Sequence, residues 1–116
     1  MNTLQEKMEK EVIALIFRDY PDLRDQILKA RVTSRKFTGV GFFTYYNKED
    51  ILWEEKMIIS DVGAILNNSI EVGFVFFIRK EGVRFLECYT YSDPFPDQIE
   101  SCEVFLFENR ENYVWV

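Results

Sequence analysis

The sequence predicts an α+β domain, with two N-terminal helices packed on a mostly antiparallel, curled sheet of six or seven strands. Three observations predict it. The apolar period is helical over residues 1–30, it changes to strand-like runs after Ala30, and turn signals then recur at short intervals.

Thr3 and Glu6 have the spacing of a capping box, in which each side chain satisfies the other residue's free backbone donor. Leu4, Met8, Val12, Leu15 and Ile16 then form one apolar stripe beside Glu6, Lys7, Lys10 and Glu11. Tyr20-Pro21 ends this helix, because proline disfavours helical geometry in the residue before it. The same proline opens a second helix, with Asp22 in its first turn and Leu23, Ile27 and Leu28 on its buried side.

Residues 32–37 read as a strand, and Thr38-Gly39-Val40-Gly41 as a turn into Phe42, Phe43, Thr44, Tyr45 and Tyr46. Asn47 to Asp50 is a polar turn before a strand over residues 51–60, and Asn67-Asn68-Ser69 is another turn. Residues 73–79 and 83–91 make the clearest hairpin, joined through Lys80, Glu81 and Gly82. Asp93-Pro94-Phe95-Pro96-Asp97 must be a loop, since two prolines break any ladder. Residues 102–107 form a further strand, and residues 113–116 a short last one.

The 116 residues are read as one domain spanning 1–116. No run approaches the length of a membrane span, and Met1 is followed by a charged amphipathic segment, so the expected address is the cytoplasm. There is no histidine. That removes Ser-His-Asp and Cys-His nucleophile activation and every imidazole zinc site, so no catalytic residue or metal ligand is nominated and no cofactor is implied. Cys88 and Cys102 are too few for a four-thiolate site and read as small buried hydrophobes. Net charge is −6 and uneven: residues 1–36 hold eight Lys or Arg against six Asp or Glu, while residues 37–116 hold six against fourteen. The acidic body disfavours nucleic acid and anionic membrane as partners and favours a basic one.

Several features could carry function. Lys29, Arg31, Arg35 and Lys36 give four cations and no acid over residues 29–36. Alternation places Arg31, Thr33 and Arg35 on one face as a small anion site, or the segment is an edge strand kept soluble by charge. The glycines of Thr38-Gly39-Val40-Gly41 match no phosphate-loop spacing and read as a tight turn. Trp53, Glu54 and Glu55, preceded by Glu49 and Asp50, place an indole among carboxylates. As strand neighbours Glu54 and Glu55 point apart, so a solvated acidic edge fits better than an acid–base pair. The doublets Phe42-Phe43, Tyr45-Tyr46 and Phe76-Phe77 send one ring to each face of a sheet. Helices can cover one face; the other then needs closure of the sheet, a ligand or a partner chain.

The segment from Ala30 through Thr44 (ARVTSRKFTGVGFFT) resembles a family of small uncharacterised bacterial proteins, as do Gly73-Phe74-Val75-Phe76-Phe77-Ile78 and Leu86-Glu87-Cys88-Tyr89-Thr90-Tyr91. That resemblance implies no activity. In size and charge the chain is also similar to the immunity proteins of bacterial toxin systems.

The expectation is a non-catalytic protein-interaction module, either an immunity-type inhibitor or a homodimer. Its aromatic anchors would be Tyr45 and Trp53, within a rim of Glu49, Asp50, Glu54 and Glu55. The alternative is a small-ligand binder with an aromatic pocket between helices and sheet, where Arg31 and Arg35 read an anion.

Overall fold

A computed structural model describes residues 3–79, 82–91 and 93–107. Helix α1 spans Thr3–Ile16 and α2 spans Pro21–Lys29. Six strands follow: β1 (Val32–Phe37), β2 (Gly41–Tyr46), β3 (Met57–Leu66), β4 (Ile70–Ile78), β5 (Arg84–Thr90) and β6 (Cys102–Leu106). All pairings are antiparallel, and the order β1-β2-β5-β4-β3-β6 leaves the sheet unclosed, with β1 and β6 at its edges. The expected α+β architecture is therefore present, with six strands among the described residues. The expected strand at 113–116 lies outside them, as do Lys80, Glu81 and the Thr3 side chain of the expected capping box.

The amphipathic stripe of α1 settles the layering. Met8, Val12, Ile13, Ile16 and Phe17 are buried, and Phe17 meets Phe76 edge-on with ring centroids 5.0 Å apart. Leu23 and Ile27 are the buried side of α2, and its Pro21 start agrees with the sequence. Against them lie Phe42, Val62, Ala64, Leu66, Val72, Phe74, Phe76, Ile78, Leu86 and Cys88, one side of the sheet. Ile99 and half-buried Phe95, from the proline-bearing loop, complete this layer, and Phe95 packs its ring on Phe42.

Turn chemistry matches the chain's choices. Asn67 and Asn68 take left-handed φ values of 52° and 65° in the three-residue connection from β3 to β4, where the Ser69 N–H donates to the Leu66 carbonyl; asparagine tolerates that conformation better than most residues. Asn67 also holds the 93–101 loop: its Oδ1 accepts from the Glu100 and Ser101 amides, and its Nδ2 donates to the Gln98 carbonyl.

Two expectations need correction. The strand predicted over 51–60 begins only at Met57, so Trp53, Glu54 and Glu55 lie on a connecting loop. The 3₁₀ turn Lys48–Asp50 and the demand for a carbonyl clasp, described below, hold that loop outside the ladder. The strict alternation along β1 also fails. Val32 pairs with Tyr46 and Ser34 with Tyr45, so a bulge at Thr33 shifts the register. Val32, not Thr33, therefore shares the helix side with Arg35.

Candidate functional site

Three surfaces concentrate chemistry. The first is a groove of about 350 Å³ between α1, α2 and β1, lined among others by Glu6, Glu9, Lys10, Arg31, Arg35 and Tyr46. Glu9 is 3% exposed at its floor. Its carboxylate accepts from Arg35 Nε at 2.8 Å and Nη2 at 2.7 Å, from Gln5 Nε2 at 2.7 Å and from Thr44 Oγ1 at 2.7 Å. The Glu9 carboxylate is thus fully satisfied and joins α1 to the β1–β2 hairpin. Tyr46 is buried beside it, and both desolvation and the Glu9 charge push its hydroxyl pKa upward. At the rim Arg31 donates from its backbone N–H, Nε and Nη2 to Asp50, and those bonds hold the Asp50 carboxyl below its ordinary range. Arg31 and Arg35 do line one groove, as an anion site would require. Each guanidinium, however, already faces a carboxylate of its own chain.

The second surface is an open depression lined by Lys48, Ile51, Leu52, Trp53, Glu54, Glu55 and Arg84. Arg84 is 5% exposed. Its Nε donates to the Ile51 carbonyl at 3.1 Å and its Nη2 to the Trp53 carbonyl. This clasp ties the 51–56 loop to β5 and explains why the loop does not pair as a strand. Among the described residues, Nη1 and the Trp53 indole N–H have no hydrogen-bond partner. Burial accordingly lowers the guanidinium pKa, as it must for a cation taken out of water.

The third is the side of the sheet turned away from the helices. Phe43, Tyr45, Phe77 and Phe85 form one cluster there, with Phe77 and Phe85 stacked at 4.7 Å and Tyr45 5.4 Å from Phe85. Arg79 lies over the rings of Phe77 and Phe85 at 5.3 and 5.7 Å. Ile58, paired with Phe77, is 68% exposed. A second cluster, Tyr89 with Tyr91 and Phe105 with Phe107, lies across Gly63 and Gly73. A Cβ on Gly73 would come within 2.7 Å of the Tyr89 ring, so the missing side chain gives that ring its seat. Neither helix covers these residues. In the middle of this face Glu87 pairs across the ladder with Phe43 and Val75. It is half-buried, and desolvation raises its carboxyl pKa.

The nominated residues therefore divide. Arg31, Asp50 and Arg35 belong to the groove or its rim, Trp53, Glu54 and Glu55 to the loop depression, and Tyr45 to the outer aromatic cluster. Glu49 is exposed on the 3₁₀ turn. Trp53 packs inward, half-buried, with its ring edge-on to Tyr20, so it does not share a surface with Tyr45. Sequence reading missed Glu9, Arg84 and Glu87. Glu9 carried a signal: with Gln5 it interrupts the flank of the apolar stripe at a spacing of four, directly beside Met8 and Val12. Arg84 and Glu87 carried one too, as lone charges in the otherwise apolar run of β5.

Among the described residues no helix is long and apolar enough to cross a membrane, and no group of three acidic or cysteine side chains converges. No family model, curated protein or solved structure matches the chain.

Proposed function

We propose that this protein is a non-catalytic, cytoplasmic interaction module that binds another protein chain through the outer face of its sheet. One observation carries the reading: half-buried Phe43, Tyr45 and Phe77 pack around buried Phe85 and, with exposed Ile58, form an aromatic and aliphatic surface that neither helix covers. Rings already packed against one another lose little freedom on docking, which favours such clusters as anchors. An immunity-type inhibitor and a homodimer are both versions of this role.

Affinity capture with the wild-type chain and with Ile58→Asp, followed by binding of the purified partner, tests it. Ile58 is exposed enough to change without unfolding the domain. A partner retained by the wild type and lost by the variant supports the reading, whereas an unchanged partner set removes the outer face from it.

The groove supports a second reading as a small-ligand site, because its volume lies within the usual range for such pockets. The Glu9–Arg35 and Arg31–Asp50 pairs shift its expected ligand from a plain anion to a molecule carrying both donors and acceptors.

A further inference from the structure

We propose that Glu87 and the rings around it receive an arginine or lysine side chain of a basic partner protein. The proposal rests on the interaction role above and specifies the partner's chemistry.

Glu87 stands between Phe43 on β2 and Val75 on β4, with Phe85 and Tyr89 before and after it on the same side of β5. Among the described residues its carboxylate makes no hydrogen bond and no ion pair, in contrast to Glu9, Asp50 and Asp61. A charge set among apolar side chains without a counter-ion is costly to the free protein. A cation arriving there would form its bond in a partly dehydrated site, where it is stronger than at an open surface.

Two further observations favour a cation as the occupant. Glu71 and Glu103 flank Ile65 on the same side, one on each neighbouring strand, so this face carries two further carboxylates some way along the sheet from Glu87. The chain's own Arg79 already rests on Phe77 and Phe85, showing that rings of this face accommodate a guanidinium. A second copy of the chain fits less well. A two-fold contact centred on this patch would bring Glu87 toward its own symmetry mate, between two bodies of net charge −6 each.

The test is titration of the ¹⁵N-labelled full chain with a blocked hexa-arginine peptide, with a hexa-citrulline peptide as the uncharged control. Amide shifts should concentrate at Phe43, Val75, Phe85 and Glu87. Glu87→Gln should weaken binding about fivefold or more, while Glu49→Gln, an exposed acid away from this face, should change it less than about twofold. Equal losses in the two variants, or shifts gathered at residues 49–55, would overturn the proposal. Citrulline binding as tight as arginine at the same amides would also overturn it, yet would leave the face as a docking surface. Shifts nowhere on the face would count against both the cation and the docking surface.

Discussion

Glu9 of α1 and Arg35 of β1 meet in a bidentate pair whose side chains are only 3% and 12% exposed. The pair bridges the helical layer and an edge strand, and Gln5 and Thr44 complete its hydrogen bonding. Removing one partner leaves the other charge buried. Arg35→Ala or Glu9→Ala should therefore cost about 3–5 kcal/mol in urea unfolding. Glu9→Met combined with Arg35→Met should lose less than the sum of the corresponding single Met changes, by about 2–3 kcal/mol. Strict additivity would show that the charges act independently.

Gly39 and Gly41 close the β1–β2 hairpin for different reasons. Gly39 has φ +88° with open space around its missing side chain, whereas a Cβ on Gly41 would lie 1.8 Å from the Cys88 carbonyl oxygen. Gly39→Ala should cost about 1–2 kcal/mol, a backbone penalty alone. Gly41→Ala must push β2 away from β5 and should cost more than about 4 kcal/mol or prevent folding. Comparable thermal unfolding of the two variants would refute the close approach.

Glu87 makes stability depend on pH. Desolvation raises its folded pKa, so the native chain holds that proton more tightly than the unfolded chain does. Its contribution is fully present below the ordinary glutamate range and is lost as pH rises through the elevated value. Glu87→Gln should thus melt somewhat above wild type at pH 7, the gain kept small by partial solvent exposure, with the gap closing toward pH ~4. A gap that stays constant between those pH values would assign the gain to something other than titration.

The two cysteines should be poor nucleophiles. Cys88 is buried in β5 with its thiol pKa pushed well up, and burial brings Cys102 on β6 to about 11. Since the thiolate is the reactive form, iodoacetamide at pH ~8 should label Cys102 about 100-fold more slowly than free cysteine. Cys88 should label only as the domain unfolds. Rapid labelling of Cys88 under native conditions would contradict its burial.

The architecture was legible because each layer had its own period. The stripe Met8–Val12–Ile16 is helical, Pro21 starts the second helix, and Asn67-Asn68 turns one strand into the next. The functional surfaces were less legible, because they depend on which strands become neighbours. Nothing in the order of residues announces that Phe43 and Glu87 lie side by side. The bulge at Thr33 was equally silent, since a single unpaired residue leaves composition unchanged. Trp53-Glu54-Glu55 misled for a related reason: a β-prone local sequence is held out of the sheet by the distant Arg84.

The neighbourhood of β2 and β5 also sets a schedule for synthesis. Gly41 is aligned with Tyr89 and Tyr46 with Arg84, so the partner of β2 leaves the ribosome roughly forty residues later. At common elongation rates that is a delay of about 2–8 s. During it β1 and β2 can close as a lone hairpin, with Phe42 bare on one side and Phe43 and Tyr45 bare on the other. A nascent-chain chaperone would meet the sticky side of this protein before any mature partner does. Lys36, exposed on the adjoining strand opposite Phe43, places a charge beside those rings through the wait.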